Sequence, residues 1–519
     1  MLAWTIYISF LGVLALVLLP SRYARASRVI ALIASFAGFA LSLGAVIHFL
    51  ATLPPLNDPL YAEVGKLKTI FRSPWIPALG IEYHLAYDGI SLTLVLLTGI
   101  AAIAGVLFSW NIEHRPKEFF AFYLALIGGV YGVFLSVDVF LLFVFYELAI
   151  IPKYFLIAIW GSTRREYGAM KLALYSFVGS ALVLIGLIAA YVVAGAKTMS
   201  LVELARFPFP RDFQMWAFPL VFVGFAILAG LWPFHTWAPT GHVAAPTAAS
   251  MLLAGVVMKL GAYGCLRVAM TILPQGLAHW DCNVLGLGSW REVFALLAVI
   301  GIVYGAMVAL VQRDFKFVIG YSSVSHMGFV LLGLMTLEPM GLSGAVLQMF
   351  SHGIIAGLLF AVVGRMIYDR THTRDLAELQ PLNLNQKLPF AAVTFTLAGV
   401  ASMGLPGFSG FVAELQVLVG AWQAYPTLAV ISGLGILVGI AYTMRVIQKA
   451  FFAENNEPEA PQVHHGEFPP ISFPERLGAV LLLATALLIG LYPRLLLDLI
   501  VPTLTQSPLF DGLKKTCSL

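Results

Sequence analysis

The decapeptide YELAIIPKYF, residues 146–155, holds a carboxylate, Glu147, and an ammonium, Lys153, inside an oily run: VDVFLLFVF precedes it and LIAIW follows. The same pattern recurs along the chain. His235 and His242 stand in LWPFHTWAPTGHVAAPT, Lys259 in LAGVVMKLGAYG, His326 in GYSSVSHMGF, His352 in QMFSHGIIAG and Glu414 in GLPGFSGFVAEL. Burial shifts lysine and glutamate toward neutral pH, and histidine already titrates there. These residue types pass protons. Strung through the middle of the chain rather than gathered at one spot, they suit a relay.

Their surroundings follow from composition. Of 519 residues, 60% are hydrophobic and 11% charged, with a mean hydropathy of +0.90. A soluble globular protein carries about 25% charged residues, so this is a polytopic membrane protein. A charge at the bilayer centre costs roughly 2.5–3.5 kcal/mol even on the lenient insertion scale, so each buried ionisable residue needs a reason. The net charge of +4 comes with no basic block long enough to bind nucleic acid. Cys265, Cys282 and Cys517 lie far apart with no CxxC spacing, so neither disulfide nor metal is expected. The N-terminal MLAWTIYISFLGVLALVLLP lacks a basic n-region and a small-x-small cleavage site and reads as a retained first helix.

Apolar runs able to cross about 30 Å of hydrocarbon predict an all-α fold of fourteen spans: 2–20, 29–51, 86–110, 117–136, 139–160, 169–194, 215–237, 247–272, 291–311, 316–337, 342–367, 388–422, 428–452 and 476–498. Span seven runs into a Pro- and His-rich stretch. Span twelve is interrupted by Gly404, Pro406, Gly407 and Gly410. Broken helices survive at membrane depth only inside protein or beside water. The two breaks sit five spans apart, which predicts two inverted five-helix repeats, 117–272 and 291–452. An N-terminal unit (1–116) and a C-terminal helix and tail (475–519) flank them. Arginine and lysine concentrate in SRYARASR, EHRPKE, GSTRREYGAMK, QRDFK and GRMIYDRTHTRD, after spans 1, 3, 5, 9 and 11. The positive-inside rule puts those loops in the cytoplasm and both termini on the outer face, as expected of a protein of a bacterial inner membrane.

Each position also has a structural account. Glu147 suits a buried ion pair, and Lys259 a satisfied structural lysine. His326 suits a core histidine bonded to Ser322 or Ser323, with His352 similar. His235 suits a cap on the broken segment, His242 a brace for the loop, and Glu414 a brace for the second break. His464 and His465 fall in a polar loop and read as solvated, while Asp314 and Lys316 read as loop or helix-end charges.

Taken together, FYELAIIPKYFLIAIWGS, PFHTWAPTGHVAAPTAASMLLAGVVMKLGAYGCLR, QRDFKFVIGYSSVSHMGF, YDRTHTRDL and GLPGFSGFVAEL resemble the antiporter-like membrane subunits of respiratory complex I, and most nearly the M type (NADH dehydrogenase subunit 4). The motifs run from about residue 120 to 425. The resemblance implies a proton channel in a multi-subunit NADH:quinone oxidoreductase, beside other antiporter-like chains and quinone-module subunits. It assigns proton-handling roles to Glu147, Lys259, His326, His352 and Glu414. No haem, flavin, iron–sulfur or quinone motif is present, so no cofactor is expected in this chain and redox chemistry falls to partners. A cation/proton antiporter subunit, a membrane-bound hydrogenase subunit and a non-pumping structural subunit are the rival readings.

The chain departs from the family at one place. The family usually carries a lysine on span seven, six residues before the Phe of PFHTW, as partner to the span-five glutamate. That position is Leu228 here, and GFAILAGLWPF holds no lysine. The family's LPDAH has become APTGH, losing an acid, and Lys153 stands where the family commonly has an uncharged residue. Lys153 is therefore expected to replace the missing partner of Glu147. Six residues on one helix give about 9 Å of rise and roughly 120° of rotation, which rules out an i,i+4 pair, although Pro152 can bend the helix between them. The alternative is that Lys153 snorkels toward the surface near Trp160. In the expected mechanism, partner redox chemistry changes the charge near Glu147. The field of Glu147 then tunes the proton affinity of Lys259, which passes its proton through His326 or His352 to Glu414.

Overall fold

The structure is a computed structural model, and it describes residues 1–55, 58, 61–278, 287–452 and 468–517. Cys282, His464 and His465 lie outside the described residues. The principal helices are α1 (Trp4–Leu18), α2 (Ala24–Ala51), α3 (Gly89–Phe108), α4 (Pro116–Leu135), α5 (Val139–Trp160), α6 (Arg165–Val193), α7 (Arg211–Ala229), α8 (Trp237–Ala244), α9 (Thr247–Ile272) and α10 (Trp290–Val311). They continue with α11 (Phe315–Thr336), α12 (Pro339–Thr371), α13 (Pro389–Ser402), α14 (Ser409–Ala424), α15 (Pro426–Phe451), α16 (Phe473–Leu491) and α17 (Arg494–Gln506).

Twelve helices among the described residues are long and apolar enough to cross a membrane. Two expected spans depart from that form. The first is the shorter α1, and the twelfth is divided into α13 and α14. Helices α3, α9 and α12 are buried along their whole apolar windows, whereas α2, α6, α15 and α16 leave most of theirs on the outside of the bundle. Lys259 and His352 therefore sit on the two central helices, away from the bundle surface.

Both predicted breaks are present. Helix α7 stops at Gly230, whose φ of +87° is costly for any residue with a Cβ. The chain then crosses 231–236 before α8 begins. The second break runs from Met403 to Phe408, where Gly404 (φ +74°) and Gly407 (φ +102°) flank Leu405 and Pro406. Proline supplies no N–H, and the two left-handed glycines reverse the chain, so the helix ends and restarts.

The expectation of helices alone is incomplete. Lys68–Ile76 and Ile81–Tyr87 form an antiparallel hairpin, β1 and β2, turned at Pro77–Gly80. Most of β1 is exposed, so it carries no hydrophobic alternation to mark it as a strand. Strand β2 also takes the first residues assigned to span three, which starts at Gly89 instead of 86. The hairpin is tied to the bundle by Asp138, fully buried at the N-cap of α5. Its carboxylate accepts from the backbone N–H groups of Glu82 (3.0 Å), Phe140 (2.9 Å) and Leu141 (3.0 Å). The hairpin marks one end of the bundle, and the arginine-rich loops mark the opposite, basic end.

Candidate functional site

Helix α9 is not uniform. At Leu253–Val257 and again at Cys265–Ala269 its turns widen to the i→i+5 geometry of a π-helix. Such widened turns recur at functional sites because they free or redirect backbone groups. Lys259 lies between the two, fully buried. Its ammonium donates to the carbonyl of Ala254, inside the first widened turn.

The same ammonium lies 2.8 Å from Nδ1 of His352 on α12. Lysine carries donors only, so Nδ1 accepts, and a neutral His352 then holds its proton on Nε2. The His352 and His326 rings stack with centroids 5.5 Å apart. On α11, His326 Nδ1 donates to Glu414 Oε1 at 3.0 Å, and its Nε2 sits 3.2 Å from the Ser402 hydroxyl. Gln348 Nε2 donates to the same carboxylate oxygen at 3.3 Å. Lys259, His352, His326 and Glu414 thus form one file across α9, α12, α11 and α14. A small cavity beside it is lined by His326, Gln348, Ser351, His352, Ser402 and Glu414 among others. It has room for about one water molecule. Two of its lining residues, Gln348 through Oε1 and His352 through Nε2, bring buried polar atoms with no hydrogen-bond partner among the described residues.

This geometry replaces the structural account of His326. Its partners are Glu414 and Ser402, while the Ser322 hydroxyl receives the Tyr442 phenol at 2.7 Å. Gln348 and Ser402 are the functional neighbours missed from sequence. Gln348 was legible, since it lies four residues before His352 and therefore shares its helical face. Ser402 acquires its place only through the fold of the break.

The remaining candidates stand apart from the file. Glu147 and Lys153 form no ion pair. Glu147 Oε1, Lys153 Nζ and, on the adjoining α6, Ser176 Oγ and Ser180 Oγ are all buried without a hydrogen-bond partner among the described residues. Lys153 is fully buried, so it does not snorkel to the surface. Helix α5 does reach α7: the Tyr146 ring packs edge-on to Phe225 at 5.5 Å, one turn before the buried Leu228. Neither ring nitrogen of His235 or His242 has a partner among the described residues, so neither caps or braces through a hydrogen bond. His235 lies against Tyr304, and His242 stacks on Phe360 with centroids 4.7 Å apart.

Lys316, expected as a loop or helix-end charge, is instead buried and donates to the Ala245 carbonyl at 3.0 Å. Asp314 does cap α11, and Arg374 lies 3.3 Å from its carboxylate. Lys316 also lines a larger cavity at the basic end with Glu113, His114, Thr247, Arg365 and Asp369. Cys265 is buried and free, and among the described residues no group of three or more His, Cys, Asp or Glu side chains could hold a metal ion.

Comparison with known proteins adds to this geometry. The transmembrane family described as NADH:quinone oxidoreductase/Mrp antiporter matches residues 136–439. The chain is 36% identical, over 88% of its length and 84% of the relative's, to the NAD(P)H-quinone oxidoreductase chain 4 1 of Synechococcus sp. (strain JA-3-3Ab). It is also 36% identical, over 89% of its length and 88% of the relative's, to NADH-quinone oxidoreductase subunit M of Rhodobacter capsulatus. Among solved structures it is similar to a chain of respiratory complex I from Thermus thermophilus with bound NADH. That match has a TM-score of 0.84, with 26% identity over 99% of this chain and 100% of the other.

Proposed function

This chain belongs to the NADH:quinone oxidoreductase/Mrp antiporter transmembrane family, and on that premise we propose that it moves protons along the file Lys259–His352–His326–Glu414. It is an M-type, antiporter-like, proton-translocating subunit of a complex I-type assembly and a multi-pass integral membrane protein. The observation that carries the route is the continuity of the file, from the 2.8 Å contact of Lys259 with His352 to the 3.0 Å contact of His326 with Glu414.

The basic end faces the cytoplasm and the hairpin end the outer side of a bacterial inner membrane. Protons arrive through the cavity beside Lys316 and reach Lys259 past His242, whose ring nitrogens are free to accept and release them. Lys259 hands a proton to His352. A water in the small cavity bridges His352 to His326, which delivers to Glu414 beside the second break. Electron transfer belongs to the partner subunits, and this chain needs no cofactor of its own.

Glu147 sets the timing. Its charge favours the charged form of nearby lysines and histidines, and its neutralisation releases them. Replacing Glu147 by Gln in the reconstituted assembly is expected to slow redox-driven proton uptake by about tenfold. Wild-type uptake in that variant would instead favour a structural subunit with a decayed channel.

Lys153 takes the place of the lysine absent at Leu228. It is buried on the same helix as Glu147, and both side chains are short of hydrogen-bond partners among the described residues. Lys153→Met is expected to lower the number of protons moved per electron while electron transfer continues. Unchanged coupling would remove Lys153 from the mechanism.

A further inference from the structure

Lysine 259, Tyr263 and Arg267 follow one another at intervals of four residues, so they lie along one side of α9. All three are buried. They lead from the middle of the bundle toward the hairpin end, where α3 begins and the C-terminal segment packs. Besides the direction of His352, the second direction from Lys259 is straight along its own helix. What stands on that line is a buried set of hydrogen bonds around Arg267, whose Nη1 alone lacks a partner among the described residues.

Arg267 Nη2 donates to both oxygens of Asp88, at 2.7 and 2.6 Å, and its Nε donates to the Tyr263 hydroxyl at 3.2 Å. Asp88 is fully buried and also accepts from the backbone N–H of Ser91 at 2.9 Å, capping α3. The Tyr263 hydroxyl donates to the Phe134 carbonyl at 3.2 Å, with the Ser91 hydroxyl 3.4 Å away. The Phe510 ring covers the guanidinium, 5.7 Å from its centroid.

Two of the groups on this line cannot pass a proton on. A backbone carbonyl releases none. A guanidinium has no lone pair to receive one and stays protonated. Asp88 is held on both oxygens. The buried positive charge of Arg267 also repels an approaching hydronium, as fixed arginines do in proton-excluding pores.

We propose that Arg267, pinned by Asp88 and Tyr263, is a proton stopper on the hairpin side of Lys259 that makes transfer to His352 obligatory. The proposal rests on the proton-transfer reading of Lys259. Arg267 is a positioning residue in this scheme and carries no proton itself.

The test is the passive decay of an imposed pH gradient across liposomes holding the whole assembly, with no electron donor present. Arg267→Met is expected to raise proton permeability about tenfold. Adding Lys259→Met to Arg267→Met should restore the low permeability, because the leak passes by way of Lys259. Wild-type permeability in Arg267→Met overturns the proposal, and so does a leak that survives Lys259→Met.

Where Arg267→Met fails to assemble, Tyr263→Phe decides. It removes one hydroxyl and leaves the ion pair in place. A rise of about threefold or more supports the stopper, and wild-type permeability overturns it. Failure of the underlying reading shows separately, as undiminished redox-driven uptake in Lys259→Met alone.

Discussion

Replacing Lys259 by Met is expected to slow redox-driven proton uptake through this chain by about 10²-fold or more, the usual effect of deleting a proton donor from its line of transfer. Methionine nearly matches the volume of the lysine stem, so the fully buried site stays filled. What is lost is the ammonium. Nδ1 of His352 then has no donor at 2.8 Å, and the Ala254 carbonyl in the widened turn loses its partner. The measurement is uptake by liposomes carrying the assembly, compared with the rate of quinone reduction. Uptake that keeps pace with electron transfer in Lys259→Met would remove this lysine from the route.

Glu414→Gln is expected to have an effect of similar size, again about 10²-fold on proton uptake. Glutamine keeps the shape of the side chain and can still accept from His326 Nδ1 and Gln348 Nε2. It cannot bind and release a proton near neutral pH. The packing around the second break is therefore preserved while the terminal acceptor is lost, and assembly of the complex should match wild type. A Glu414→Gln assembly that takes up protons normally would move the end of the route to another residue. A variant with lost assembly but a normal ratio of protons to electrons would make Glu414 a brace for the break.

Much of this site was legible because charges are so costly at membrane depth. Lys259, His326, His352 and Glu414 stood out singly against apolar sequence, and the structure joins all four. The order within the file was not legible. The contacts cross four helices, and only packing decides that His352, rather than His326, meets the lysine. The burial of Lys316 leaves no mark in the sequence, because it sits one residue inside its helix, where exposed lysines are common. The Arg267–Asp88 pair was passed over for the same reason, as both residues lie near helix ends. Lys153 was noticed through its unusual place, and its burial removes the snorkelling alternative.

The breaks were visible as clustered glycine and proline, since left-handed backbone needs glycine there. The hairpin was not, because β1 exposes both faces and so leaves no alternating pattern to read.

The small cavity beside His326 and His352 has the dimensions of about one water molecule. A metal cation that leaves bulk water must exchange its hydration shell for a ring of oxygens. A chamber with room for about one water molecule cannot admit the hydrated ion. A proton needs no such space, because it travels by exchange of bonds and leaves the heavy atoms where they are. A chamber this tight suits transfer by exchange of bonds better than passage of a hydrated ion.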